Sequence, residues 1–430
     1  MNDEKENPIS VDNIETVEDP ELKERMGVVA KNIIDTFGFQ PKKESFLVIT
    51  DTGVIEAQPE LVGSIEEELK GRIEKSGNRV NYRIRVLPES KRSAEDMGEY
   101  IGDELKHWRN SPILIITSMS RSHSKETGSA IREMYSRKEL DEQLQASKIQ
   151  GHLKGLDDQL NDEQWQKIVK EAKKRAVRLI SITKGKNPHE ILTKGAVEES
   201  VEKILERDEK VGELMKDVKI VQLTSPEGTD IRLNLIEEAK GMESEDFSKP
   251  GALGNYPIGE WACSPDWKGS SGNLVIDGPL GGEHMLDQVK KFGPLKLEIV
   301  EGEIVKINGQ PANELTDNPL AESVKAYLNA GNNKNNHGYR LAELGIGTNT
   351  KACQGKEDKD WGSSETEKLY GTVHIAVGSN GSLGVPKNHP SFNSAKVHCD
   401  MVLLGKINVE CERKDGSRFF LIKEGNPQGY

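Results

Sequence analysis

The chain has 430 residues, of which 34% are hydrophobic and 30% charged, and a net charge of −13 from 59 basic and 72 acidic side chains. That length is long for one hydrophobic core and predicts two or three domains. The acidic excess argues against nucleic acid as a partner, because such affinity rests on Lys and Arg neutralising phosphates. With no run of about eighteen apolar residues, no transmembrane helix and no membrane partner are expected.

Residues 1 to about 20 are polar and acidic and read as a flexible tail, without the apolar stretch of a signal peptide. Four cysteines, Cys263, Cys353, Cys399 and Cys411, lie far apart with no C-x-x-C pair, so neither a disulfide framework nor a zinc finger is indicated. A soluble, cytoplasmic protein is expected.

From residue 21 strands and helices alternate. "SFLVIT" (45–50), "VNYRIRVL" (80–87), "SPILIITS" (111–118) and "VRLISIT" (177–183) are short apolar runs rich in β-branched residues. Charged, helix-like stretches separate them. "ELVGSIEEELKGRIEKSG" ends on a C-capping glycine, Gly77, while "NDEQWQKIVKEAKKRAV" and "AVEESVEKILERDEKVGELMKDV" are further amphipathic helices. This alternation predicts an α/β domain over 21–215 with a mainly parallel sheet.

Near residue 217 the texture changes to glycine, turns and short strands, with one clear helix in "NPLAESVKAYLNA". "LKLEIVEGEIVKING" and "INVECERKDGSRFFLI" read as hairpins turning at Glu301-Gly302 and Asp415-Gly416. Residues 216–430 are expected to form an α+β, mostly-β domain.

Four patches in this half place ionisable groups at apolar or glycine-rich strand ends. They are "NYPIGEWACSPD" with Glu260, "RLAELGIGTN" with Glu343, "GTVHIAVGSN" with His374, and "VHCDMVLLG" with His398 and Asp400. Alternate side chains of a strand share a face, so His398 and Asp400 point together and Cys399 points away. Each residue alone fits a bland role, such as a capping glutamate or a hydrogen-bonded core histidine. Together they supply the oxygen and nitrogen donors that zinc, cobalt, manganese and iron accept. Buried charges are costly unless paired or metal-bound, which favours reading them as one metal-binding set.

In order, "GEWACSPD", "AELGIG", "HIAVG" and "HCDM" resemble the motifs of the aminopeptidase T-like (leucyl aminopeptidase T) metallopeptidase family. "EGTDIRLNL" (227–235) is similar to the strand that opens that family's second domain. The resemblance implies a metallo-aminopeptidase, a hydrolase acting on peptide substrates, with two divalent metal ions (Zn, Co or Mn), and a homodimer. Glu260, Glu343, His374, His398 and Asp400 would then be ligands, with Glu343 the bridging carboxylate. Two such metals polarise the scissile carbonyl and lower the pKa of a bound water. Glu367, in "SSETEKLYG", is the candidate general base.

One departure is plain. The peptidases carry a tyrosine shortly after the third motif's histidine, and "HIAVGSNGSLGVP" has none. The superfamily resemblance also extends to a dioxygenase that opens 2,5-dihydroxypyridine with a single Fe(II) on two histidines and a carboxylate. His398 and Asp400 serve either chemistry. "TSMSRSHSKETGSAIR" (117–132) follows the strand "PILIITS" at the end where ligands bind in open α/β sheets. Its His123 is a candidate acid/base residue, and Lys125 and Arg132 could reach an anionic substrate group. The alternative is a polar loop entering a helix behind a Ser or Thr cap.

Overall fold

The computed structural model describes residues 19–41, 43–51, 54–55, 59–77, 82–87, 108, 111–117, 178–183, 193–237, 246–249, 252–281, 286–314, 316–330, 338–381, 383–395 and 397–430. In chain order the strands are β1 (Phe46–Asp51), β2 (Tyr82–Leu87), β3 (Pro112–Thr117), β4 (Arg178–Thr183), β5 (Val218–Thr224) and β6 (Asp230–Leu235). Next come β7 (Leu253–Asn255), β8 (Glu260–Cys263), β9 (Pro265–Ile276), β10 (Leu295–Val300), β11 (Glu303–Ile307) and β12 (Gln310–Pro311). The last six are β13 (Leu341–Gly347), β14 (Val373–Gly378), β15 (His398–Leu403), β16 (Asn408–Arg413), β17 (Arg418–Lys423) and β18 (Asn426–Pro427). The fold is mixed α/β, with a small parallel sheet and a larger antiparallel region.

The described residues form two compact units, one from those within 19–117, 178–201 and 246–257, the other from those within 202–237 and 258–430. This differs from the expected division at residue 215. The helix Val201–Met215 belongs almost wholly to the second unit, because its buried stripe of Ile204, Asp208, Val211 and Met215 faces that unit. There the Thr348 hydroxyl donates to Asp208, Arg207 reaches the Thr348 carbonyl, and the Cys411 thiol points at the Met215 sulfur. In the other direction, β7 returns to the first unit as a strand beside β4.

The first unit holds a five-stranded sheet in the order β2-β1-β3-β4-β7, every neighbour parallel. Phe46 to Ile49 and Ile113 to Ile116 are buried without a break. Such continuous apolar runs belong to parallel strands covered on both faces. The helix Pro20–Thr36 starts on Asp19, whose carboxylate accepts the Glu21 and Leu22 amides. Gly77, at φ +70°, follows the helix Pro59–Ser76 in the left-handed conformation its sequence context predicts. The helix expected over 161–177 lies outside the described residues.

The second unit carries two antiparallel sheets. The larger has nine strands in the order β12-β11-β10-β9-β6-β5-β16-β17-β18, and the smaller has four in the order β15-β14-β13-β8. Both expected hairpins are present, β10 with β11 and β16 with β17. Only Ser264 separates β8 from β9, so the chain passes from one sheet to the other at that residue. Its hydroxyl donates to the Ala342 carbonyl at 2.7 Å and accepts from the Asn380 amide at 3.2 Å, which ties the corner to β13. Among the described residues, no helix is long and apolar enough to cross a membrane.

Candidate metal centre

The four-stranded sheet has two unlike faces. Leu344, Ile346, Ile375, Val377, Cys399, Met401 and Leu403 fill one of them and are buried. The residues that alternate with them are Glu343, Gly345 and Gly347 on β13, His374, Ala376 and Gly378 on β14, and His398 and Asp400 on β15. Register aligns these into rows: Glu343 pairs with Ala376 and Ala376 with Asp400, Gly378 pairs with His398, and Glu260 on β8 pairs with Gly347. Apart from Val402, which pairs with His374, this face is floored by glycine and alanine, and the donors rise from it. Gly345 shows why the floor must be so low. A Cβ there would come within 1.9 Å of His374 Cε1, so the imidazole lies directly on the glycine.

All five residues predicted as metal ligands converge. His398 Nε2 lies 3.0 Å from Asp400 Oδ1 and 3.1 Å from Glu343 Oε2, while His374 Nε2 lies 3.3 Å from Glu343 Oε1. His374 Nε2 is also 3.9 Å from both Glu260 Oε2 and Asp400 Oδ1. Two donor groups result, Glu260–Glu343–His374 and Glu343–His398–Asp400, each with its ligand atoms within 4.8 Å of one another. Glu343 belongs to both. His374 and Glu343 form the buried floor, whereas Glu260, His398 and Asp400 keep 28%, 29% and 24% of their side-chain exposure and line an open side.

The donor chemistry fits a divalent cation. His398 Nδ1 lies 2.7 Å from the Ser379 carbonyl, which can only accept, so Nδ1 carries the proton and Nε2 presents its lone pair inward. His374 Nδ1 is buried with no hydrogen-bond partner among the described residues, and its Nε2 faces the same carboxylates. Without a metal the electrostatics are those of ion pairs. Burial opposes charge on His374, but Glu343 outweighs it and raises that imidazole to about 9. His398 rises well above its ordinary value, with Asp400 overcoming the burial. Burial would raise the Glu343 and Asp400 carboxyls, yet the facing imidazoles hold both below the usual carboxylate range.

Glu367 and Lys368 flank the donors from the segment that follows the short helical turn Ser363–Thr366. That turn is pinned by Glu365, which accepts the Cys353 amide at 3.0 Å and pairs with the buried Lys356. The Asn349 amide, just beyond β13, donates to the Lys368 carbonyl at 2.8 Å. The Lys368 ammonium lies 2.6 Å from Glu260 Oε1 and 2.9 Å from Glu367 Oε1. Burial works against its charge, and the two carboxylates overcome it, holding the ammonium above lysine's ordinary range. Glu367 is thus buried and ion-paired rather than an exposed loop residue.

Lys368, Gly345 and the Ser379 carbonyl are the features that motif reading passed over. The Glu367-Lys368 pair ahead of "LYG" was the available signal for the first of these. His123, with residues 118–132, lies outside the described residues.

A family model described as NicX: 2,5-dihydroxypyridine 5,6-dioxygenase matches residues 160–410, a span that contains all five donors and Lys368. Two solved structures share the fold. 2,5-dihydroxypyridine dioxygenase from Pseudomonas putida KT2440 is similar with a TM-score of 0.57 and 15% identity, over 96% of this chain and 99% of that one. Wild-type AmpT from Thermus thermophilus is similar with a TM-score of 0.61 and 15% identity, over 94% of this chain and 99% of that one. No curated protein sequence matches significantly. The motif resemblance ranked the aminopeptidase first, and the family match reverses that order. The four motifs spell out donors that both chemistries can use, so they could not rank the two.

Proposed function

The chain belongs to the NicX family of 2,5-dihydroxypyridine 5,6-dioxygenases, and on that premise we propose that it is a metal-dependent dioxygenase that opens a hydroxylated pyridine ring with one Fe(II). The family match across the whole donor set carries this reading. The site supports it, since an imidazole and two carboxylates meet on one face with an open side, donor types that non-haem iron accepts. Glu343, His398 and Asp400 would hold the ion, with His374 facing Glu343 from the buried side. Ferrous iron in such a site would supply the one-electron chemistry through which triplet dioxygen can react with a closed-shell ring.

The remaining chemistry belongs to the side chains. Ser379 fixes the His398 tautomer, so this imidazole acts as a donor and not as an acid. Glu343 and Asp400 bring negative charge that offsets a dication in a partly buried setting. The ring enters from the open side, lined by Glu260, His398 and Asp400. Both atoms of O2 enter the product as the C5–C6 bond opens, so no external reductant is consumed.

A second reading rests on one specific observation, that the two donor groups share Glu343. A shared carboxylate is how two-metal hydrolases bridge their ions. In this reading Glu260 is also a ligand, Glu367 is the general base, and peptides are the substrates.

The test is direct. The Fe(II)-loaded protein, given 2,5-dihydroxypyridine and air, should consume one O2 per ring opened, followed by oxygen electrode and loss of ring absorbance. No oxygen uptake, together with release of free amino acids from short peptides by the Zn-, Co- or Mn-loaded protein, would overturn the dioxygenase in favour of the peptidase.

A further inference from the structure

We propose that Lys368 sets the metal count of this centre at one, because its ammonium holds the carboxylate that a second dication would need. The inference rests on the single-iron reading above and deepens it, by naming the residue that separates one-metal from two-metal chemistry on a shared donor set.

The two donor groups are not equivalent. In Glu343–His398–Asp400, each carboxylate oxygen nearest the centre faces an imidazole nitrogen, at 3.1 and 3.0 Å. In Glu260–Glu343–His374, the Glu260 carboxylate is already engaged. Its Oε1 lies 2.6 Å from Lys368 Nζ, and its Oε2 stays 3.9 Å from His374 Nε2. An ion on this group would have to share Glu260 with a cation at contact distance. Paired metals sit about 3.5–4 Å apart and tolerate each other only through the anions between them. Here Glu343 is the one carboxylate common to both groups, and Glu260, the second group's own anion, is spent on the lysine.

Charge counting gives the same answer. With neutral imidazoles, Glu260, Glu343, Glu367 and Asp400 bring four negative charges, which two dications would balance. Lys368 cancels one of the four. One dication then leaves a single negative charge, while two would leave an uncompensated positive charge in a setting where Lys368, Glu343 and His374 are buried. Nor can the lysine easily withdraw. Its carbonyl is tied to the Asn349 amide, and Glu367 braces its ammonium from the other side at 2.9 Å.

Chelator-stripped wild type, Lys368→Arg and Lys368→Met are dialysed against Mn(II) alone, and bound metal per chain is read by elemental analysis. Wild type and Lys368→Arg should bind one Mn(II), and Lys368→Met should bind two. A single Mn(II) in folded Lys368→Met, or two in wild type, overturns the proposal. Glu260→Gln decides the matter if Lys368→Met does not fold. It keeps one Mn(II) with an affinity loss below about tenfold if Glu260 serves the lysine, and a larger loss shows that Glu260 is a ligand and overturns the proposal. Oxygen uptake on 2,5-dihydroxypyridine by the Fe(II)-loaded wild type is measured alongside. One bound metal without uptake sinks the ring-opening reading and leaves the count standing, whereas two bound metals with uptake sink the count alone.

Discussion

His374 stands on Gly345, and that contact makes a sharp single-residue prediction. A methyl at position 345 would occupy the place of the imidazole, 1.9 Å from Cε1 and 2.3 Å from Nε2. Gly345→Ala should therefore fold but hold Mn(II) at least about tenfold more weakly, because the ring must tilt out of the donor set. Circular dichroism with a Mn(II) titration checks this, and wild-type affinity in the variant would refute it. The donors themselves were legible in the sequence, since Glu260, Glu343, His374, His398 and Asp400 each interrupt an apolar strand. Lys368 was not. "TEKLYG" has the charge pattern of a solvated turn, and its burial comes from the tertiary bond between the Lys368 carbonyl and the Asn349 amide. Gly345 was visible only as part of a glycine-rich turn, because nothing local says that a ring from the next strand will lie on it.

The β10–β11 hairpin reaches beyond its own two strands. Glu301 and Gly302 both take positive φ, +47° and +74°, which a two-residue turn of this hand requires. The Gly302 carbonyl accepts the Leu341 amide at 2.8 Å, and a Cβ on Gly302 would come within 2.5 Å of Trp267 Cβ. Trp267 in turn donates its indole N–H to the Leu341 carbonyl at 2.8 Å, with the Arg340 guanidinium 4.5 Å above its ring. The turn thus braces the start of β13, the strand that carries Glu343. Gly302→Ala should cost about 1–3 kcal/mol from the strained φ and the crowding against Trp267. Urea denaturation measures it, and an unchanged midpoint would refute the bracing. The turn was readable from "EG" between alternating runs. Strand β9 was not, because "PDWKGSSGNLVI" is weak in β-formers, and its extended shape is held by β6 and β10 on either side.

For the whole molecule, the centre links folding to pH and to metal. In the metal-free protein both imidazoles titrate above their unfolded value of about 6.5, His374 at about 9. Groups raised in this way contribute stability that is complete below the unfolded value and lost as pH climbs through the folded one. The chelated protein should therefore melt at falling temperatures between about pH 6.5 and 9. Calorimetry across that window checks it, and a flat profile would contradict the ion-paired centre. Metal reverses the trend, because binding needs deprotonated imidazoles and tightens as pH rises. At a hundredfold excess over its Kd it should add about 2.7 kcal/mol. The contrast between an α/β part and a turn-rich antiparallel part was legible from the alternation of runs. Where the chain divides was not, because the helix Val201–Met215 has an ordinary amphipathic pattern, and it is tertiary contacts such as those to Thr348 and Cys411 that show which unit its stripe faces.

The seam between β15 and residues 278–281 decides more than packing. Along β15 the side chains run imidazole, thiol, carboxylate, so a slip of one residue would turn His398 and Asp400 away and present Cys399 to the centre. Sulfur is a soft donor, suited to Zn or Cu(I), where nitrogen and oxygen suit Fe(II) and Mn. The slip is opposed on both edges, by β14 and by three bonds from the far side: Gly278 N–H to Val402 O at 3.0 Å, Val402 N–H to Pro279 O at 3.0 Å, and Gly281 N–H to Asp400 O at 2.6 Å. A stretch of backbone that offers no ligand of its own thereby governs which metals the centre can select.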